Sequence, residues 1–388
     1  MNAIELDEYL ADCRRLTLTE IEAIIPKPSP ATPVLYQLML DYPLRQAKAL
    51  RPALCIASCR ALGGPLEAVL RSAAILELYH NAFLIHDDVE DGSESRRDRP
   101  TLHAMHGSPI AVNVGDAMLA LALEPLLDNM RLLGLGKALR IMQAVARMAR
   151  ESTEGQAIEL HWIRTGDWRL SDHDYIRMVY KKTAWYTFIT PMLIGGIVAN
   201  SAPEQLATLR KFAALLGIAF QIQDDVLNLT GEGDVYGKEI AGDLWEGKHT
   251  LILMHALRAA SSDEREQACT ILQRARPSSR HAPKPSAFTE VLAALRRRGE
   301  LTAAAHEAIT AALNDATADH GAGEKTADDI QYLMRLIERH GSIEYARAIA
   351  RHFARQADAV LGRAPWLQPS IHRGFLQGIV DFVVQRDR

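Results

Sequence analysis

The sequence predicts an all-α protein, and three observations carry that prediction. β-Branched residues hardly ever alternate with polar ones, so strand signals are scarce. Apolar residues recur instead at three- and four-residue spacing along the chain. Several of these patterns run for about 20 residues without Gly or Pro, so the helices should be long.

At 388 residues the chain has room for one large domain or two, and its 48% hydrophobic content is enough for a sizeable core. Forty-four basic against 48 acidic residues give a net charge of −4, which argues against nucleic acid as a partner. The four cysteines, Cys13, Cys55, Cys59 and Cys269, form no metal or disulfide framework. Cys55 and Cys59 share a helix face and read as core residues in a reducing compartment. The N-terminus, MNAIELDEYL, is acidic and lacks the basic and apolar regions of a signal peptide. The longest apolar stretch, Phe188 to Ala199, contains Pro191 and is too short to span a bilayer. A soluble, cytoplasmic protein that does not span a membrane is expected.

Taken in order, QAKALRPALCIASCRALGG first places Lys48 and Arg51 on one helix face, which alone would be a solvated cationic turn. Gly63-Gly64-Pro65 then opens a helix that is apolar on nearly every side from Leu66 to Ile85, the mark of a helix surrounded by others. His80 within it would by itself be a core histidine.

That helix ends in the stretch around which the chain is organised, YHNAFLIHDDVEDGSESRRDRPTLH from Tyr79 to His103. Asp87 and Asp91 stand at i and i+4, about 6 Å apart along the axis, with Asp88 beside them. Two such carboxylates repel by roughly 3 kcal/mol at an effective dielectric near 20, which a cation between them would relieve. Oxygen ligands without Cys or His favour a hard ion, Mg²⁺ before Zn²⁺. Arg96 and Arg97 add forked donors suited to phosphate. Alone, an acidic helix end is as readily a solvated surface. An EF-hand loop is excluded, because its third and twelfth positions hold Val89 and Asp98.

Further along, GQAIELHW carries Gly155 and Gln156, and YKKTAWYT carries Lys182 and Thr183. Ser201-Ala-Pro-Glu204 reads as a capping-box helix start. Leu206, Leu209, Phe212, Ala213, Leu216 and Phe220 then form one apolar face leading to FQIQDDVLNL. This second acidic cluster holds Asp224 and Asp225, with Asn228 at i+4 from Asp224. Gly231 and Gly233 end the helix, and GKEIAGDLWEGKHT supplies Lys238 and Lys248. Two acidic helix ends, each followed by cations, imply a site where several Mg²⁺ ions bridge carboxylates to a diphosphate. Beyond them, RARPSSRHAPKPSA reads as a loop and the following FTEVLAALRRRGELTAAAHEAITAALNDATADHGAG as two Ala-rich helices.

DDVEDGSESRR, and FQIQDDVLN with GKEIAGDLWEGK, resemble the two aspartate-rich motifs of the trans-isoprenyl diphosphate synthases, or polyprenyl synthetases, the head-to-tail prenyltransferases. The HNA…DDVED spelling, and Asn228 where the family most often has aspartate, are most similar to the eukaryotic-type geranylgeranyl diphosphate synthases. The resemblance runs from about residue 45 to 260 and from about 326 to the end, leaving about 275–325 as an atypical insertion on one domain spanning 1–388. It implies the isoprenoid synthase fold, a large single-domain helical bundle around a central cavity. It also implies a reaction that joins isopentenyl diphosphate to an allylic diphosphate.

By the same resemblance, isopentenyl diphosphate would sit on Lys48, Arg51, His80 and Arg97. Lys48 and Arg51 match the family's GGKRLRP, although Gln46, Ala47 and Ala49 depart from it. The allylic diphosphate would meet Arg96, Lys182, Thr183, Gln221, Lys238 and Lys248. Asp87 and Asp91 would hold two of three Mg²⁺ ions and Asp224 the third, with Asp88, Asp225, Asn228 and Asp243 mainly ordering waters and neighbours. Asp87, Asp88, Asp91, Arg96, Lys182, Asp224 and Lys238 would be the catalytic set. Tyr79, Ala82 and Phe83 would limit the product tail, with Ala82 opening the pocket to C20; a C15 product or one of C25 and longer is the alternative. A class I terpene cyclase shares the first motif but needs no isopentenyl site, and a non-catalytic subunit would be expected to have lost an aspartate motif. The resemblance also implies a homodimer.

Overall fold

A helix that is apolar on all sides can be stable only inside a jacket of other helices, and that arrangement builds the molecule. The computed structural model describes residues 1–30, 32, 34–231, 241–276, 291–292, 294–310 and 323–385. It is 79% helical, in keeping with the all-α expectation. In chain order come α1 (Ala3–Ile24), α2 (Leu35–Met39), α3 (Asp41–Leu44), α4 (Leu50–Ala61) and α5 (Leu66–Asp91). There follow α6 (Leu102–His106), α7 (Ser108–Leu121), α8 (Leu123–Leu133), α9 (Leu135–Thr165) and α10 (Asp172–Val179). A π-helix (Tyr180–Ile189), α11 (Thr190–Val198) and α12 (Pro203–Thr230) come next. The remaining described helices are Gly242–Glu246, Leu251–Ala259, Ser262–Leu272, Ala327–Arg339, Ser342–Gly362 and Ile371–Gln385.

α5 is the central rod. Val69, Ala73, Ile75, Leu78, Ala82 and Ile85 are buried on different sides of it, against α1, α4, α7, α8 and α11. α12 is the second rod. Leu209, Phe212, Ala213 and Leu216 join the core around α5, while Ile222, Val226 and Leu229 join a second core with α10, Leu251–Ala259 and Ala327–Arg339. Cys13, Cys55 and Cys59 are buried free thiols, and Cys269 is half-buried and also free.

Two expectations need correction. α12 is capped one residue later than the capping-box reading: the N-cap is Ala202, whose N–H donates to Gln205 Oε1 (2.9 Å). Ala has no side-chain acceptor, so only that half of the cap forms. By length and composition, two segments could cross a bilayer: Leu66–Asp91 and the consecutive pair α7–α8, Ser108–Leu133. The first is 72% buried within the bundle and the second 39%. Most of the proposed loop at 274–287 lies outside the described residues, as do 311–322; residues 303–310 are helical, as expected.

Candidate active site

The first motif is delivered by the C-terminus of α5. Gly92, at φ +64, closes the helix in the left-handed region open to glycine. Asp87 and Asp91 then face one polar cavity, whose opposite wall is Asn228, Asp243, Glu246 and Lys248. That wall folds around one side chain. Asn228 Oδ1 accepts from the N–H of Asp243 (3.1 Å) and Asn228 O from the N–H of Ala241 (2.8 Å), so the end of α12 fixes the helix Gly242–Glu246.

Charge confirms that the two walls share one space. Burial raises the Asp91 carboxyl well above its usual range, and Asp87 and then Glu246 raise it further. Glu246 is pushed up to about 7 by burial and Asp243, with a smaller push from Asp87. These groups make an oxygen-only donor set that fits a hard divalent cation. Among the described residues no three acidic or histidine side chains converge into a ready-made cage. Mg²⁺ does not require one, since it completes its shell with waters and substrate phosphates. Asp224 is half-buried one turn before Asn228 and stands outside the lining of this cavity; the second motif enters the lining through Asn228, Asp243 and Glu246 instead.

The cations arrive already seated. Arg96 is buried with its guanidinium on Asp88 (2.6 Å) and near Asp87 (3.7 Å), and Asp88 also accepts from the Tyr42 hydroxyl. Asp88 is thus turned inward as a positioning group, as expected. Lys182 pairs with the buried Glu159 and lies 3.5 Å from Asp87. Lys181 points the other way, to Glu151 (2.7 Å) and Glu154 (2.5 Å). Both lysines sit on the π-helix, a form rare outside functional sites. That helix packs hard on α9: a Cβ on Gly155 would lie 2.3 Å from the Lys182 amide nitrogen. Thr183 donates to Gln221 (2.8 Å), which donates to the buried Asp225 (2.8 Å). Lys248 lies 3.5 Å from Asp243 and 3.8 Å from Asp225. Lys238 lies outside the described residues.

A second cavity gathers Lys48, Arg51, His80 and Arg97, with Glu77, Phe220 and Phe382. Lys48 caps the Phe382 ring at 4.5 Å and Arg51 the Tyr186 ring at 4.4 Å. Arg97 reaches this cavity while Arg96 faces the first one because a hairpin, Ser95–Arg96 against Arg99–Pro100, turns between them. Both turn residues, Arg97 and Asp98, have positive φ (54° and 58°), as the tightest hairpin turns demand. Arg45 holds the hairpin by donating to Arg96 O (2.8 Å) and Pro100 O (2.7 Å). Burial lowers the Arg97 guanidinium to about 10; Glu77 opposes the shift, and Arg96, Arg51 and Arg45 add to it.

A third, apolar cavity runs beside α5, lined by Phe83, Leu84, Leu119, Ser152 and Tyr186, with Asp87 and Lys182 at its mouth. Of the three predicted tail residues, Phe83 lines it. Tyr79 lies one turn below, edge-on to Phe83 (6.0 Å). Ala82 is fully buried one turn before His86, which lines this cavity. Glu159, Glu246, Tyr42, Arg45 and Tyr186 escaped the sequence reading, because nothing local distinguishes them from ordinary helix residues. GQAIELHW did mark the helix carrying Glu159.

Compared with known proteins, residues 33–290 match the polyprenyl synthetase family model. A short chain isoprenyl diphosphate synthase of Methanothermobacter thermautotrophicus is 29% identical over 343 residues, covering 88% of this chain and 86% of that protein. An octaprenyl diphosphate synthase of Escherichia coli is 32% identical over 61% of this chain and 70% of its own. The structure of a geranylgeranyl pyrophosphate synthetase from Pyrococcus horikoshii superposes with a TM-score of 0.76 at 27% identity, covering 98% of each chain. A polyprenyl synthase from Caulobacter crescentus, solved with calcium and isoprenyl diphosphate, shares the fold (TM-score 0.74, 24% identity, 100% of this chain and 98% of that one).

Proposed function

The chain belongs to the polyprenyl synthetase family and is a trans-prenyltransferase, and from that premise we propose that it condenses isopentenyl diphosphate with an allylic diphosphate and stops at geranylgeranyl diphosphate. The observation that carries this reading is the adjacency of three cavities. The polar and apolar ones share Asp87 and Lys182, and Tyr186 separates the apolar one from the cationic cavity of Lys48, Arg51 and Arg97. A diphosphate head, a growing tail and a second diphosphate therefore each have a compartment.

In this scheme the allylic carbon–oxygen bond breaks with its electrons leaving on the diphosphate, and Arg96, Lys182 and Lys248 meet the charge that develops there. Asp87 and Asp91, with Asp224 from the other motif, would hold three Mg²⁺ ions, which supply neutralisation of the leaving group. Thr183 and Gln221 hold the diphosphate end of the cleft. Lys48, Arg51, His80 and Arg97 fix isopentenyl diphosphate so that its double bond faces the cationic carbon. After the carbon–carbon bond forms, one proton is lost; no side chain at the junction is placed as a base, and the released diphosphate takes it. Phe83, Leu119 and Tyr186 keep water from the cation.

We further read the protein as a cytoplasmic homodimer. Ile110, Val112, Leu123, Leu127, Met130, Leu132, Leu135 and Leu139 are exposed along α7, α8 and the start of α9, more apolar surface than single scattered residues account for. The free cysteines suit a reducing compartment. Incubation with Mg²⁺, isopentenyl diphosphate and C5, C10 or C15 starters tests the function. Geranylgeranyl diphosphate is expected as the main product. A main product of C15, or of C30 and above, would overturn the assigned length, and a released hydrocarbon would indicate a cyclase instead.

A further inference from the structure

The stretch read from the sequence as atypical, about 275–325, overlaps the family match, which extends to residue 290, and its first residues reach the polar cavity. Arg274 is bound to Asp329 by two contacts (2.7 and 2.9 Å). Ala275 then makes a parallel bridge to Glu324, with Ala275 N–H on Gly323 O (2.9 Å) and Lys325 N–H on Ala275 O (2.8 Å). The buried Lys325 ammonium donates to Trp245 O (2.9 Å) and Arg274 O (2.8 Å). The two ends of the atypical stretch are thus tied to each other and to the helix Gly242–Glu246, which forms one wall of the cavity. The next side chain, Arg276, lines that cavity, with its Nη1 3.1 Å from Glu246 Oε1.

Arg276 differs from the other cations of the cavity in its partner. Arg96 is held by Asp88 (1% exposed) and Lys182 by Glu159 (4%), whereas Glu246 is 18% exposed and Arg276 itself 24%. Both partners line the polar cavity, so an entering diphosphate can reach the guanidinium beside Glu246. Its planar fork matches two phosphate oxygens, and Glu246 is then left facing the cavity as a further carboxylate.

We propose that Arg276, brought to the polar cavity by the clamped base of the atypical stretch, is an additional binding residue for the allylic diphosphate. The proposal rests on the reading that this cavity takes the allylic substrate. It is tested by comparing Arg276→Gln and Arg276→Lys with the parent protein. Steady-state kinetics are measured for both substrates, together with calorimetric titration of inorganic pyrophosphate in Mg²⁺. For Arg276→Gln the allylic KM and the pyrophosphate Kd should each rise about tenfold, as for one lost charged contact, with the isopentenyl KM unmoved. Arg276→Lys should recover part of the loss. Unchanged pyrophosphate affinity in Arg276→Gln would overturn the proposal, as would equal changes in both KM values with a lowered Tm, which would mark a merely structural role. Failure of the parent protein to extend any allylic starter would instead sink the functional reading.

Discussion

Phe83 offers the sharpest test of how the tail is measured. It stands one turn before Asp87 on the same side of α5, so a tail anchored at Asp87 and Lys182 meets its ring after about one helical turn, 5.4 Å. Tyr186 closes the other side, edge-on at 5.7 Å, and Tyr79 backs Phe83 from the turn below at 6.0 Å. Removing the ring in Phe83→Ala opens about one more turn of depth, close to the length of one isoprene unit, before Tyr79 is reached. Complete truncation of a buried Phe costs about 3–5 kcal/mol. Phe83 is only half-buried, so about 2 kcal/mol is expected and the variant should fold. Products made from farnesyl diphosphate and excess isopentenyl diphosphate, dephosphorylated and separated by chromatography, should move one unit longer, and Tyr79→Ala added to it should move them again. The reverse change, Ala82→Phe, puts a ring beneath His86 and should shorten the product. A folded Phe83→Ala protein with an unaltered product pattern would refute the reasoning.

Three other outcomes follow from the same geometry. Gly155→Ala drives a methyl into the Lys182 backbone at 2.3 Å, where neither helix can yield cheaply; kcat should fall by about tenfold or more and the melting temperature should drop, the overpacking cost being about 1–3 kcal/mol. Asp225 and Glu246 both titrate near 7, raised first by burial. A carboxyl raised in the fold stabilises fully at low pH, and that contribution is lost as pH climbs from the ordinary carboxylate range through about 7. A divalent cation favours the ionised form. The thermal shift given by Mg²⁺ with pyrophosphate should therefore be larger at pH 8 than at pH 6, and an equal shift at both would count against it. Leu127→Asp places a charge on the exposed face of α8 and should turn a dimer into a monomer by light scattering; an unchanged mass would remove this face from the interface.

The periodicity of α5 and α12 made both rods legible, because a long apolar pattern can be satisfied only by burial on a matching number of sides. Asp87 and Asp91 were placed on one helix face by their i, i+4 spacing, whereas Lys182 was singled out only through the family resemblance. What stayed hidden depends on pairs far apart in sequence. Glu159 is an ordinary helix residue until the π-helix brings Lys182 onto it, and Arg45 shows no role until the Arg96–Arg97 hairpin lies beneath it.

The hairpin separates function from stability in one substitution. Arg97 and Asp98 both hold left-handed φ angles, 54° and 58°, which cost a side-chain-bearing residue roughly 1–2 kcal/mol each relative to glycine. Sequences that need only the turn use Asn-Gly or Gly-Gly there. The turn that carries this strain sends the two consecutive arginines to different cavities. Arg97→Gly releases the strain and deletes the cation, so the two effects should part company. The melting temperature is expected to hold or rise, while the KM for isopentenyl diphosphate rises about tenfold or more, as for a lost charged contact, and the allylic KM stays put. A fall in stability without a change in the isopentenyl KM would mean that Arg97 is there to hold the turn, and that the second cavity binds its diphosphate without it.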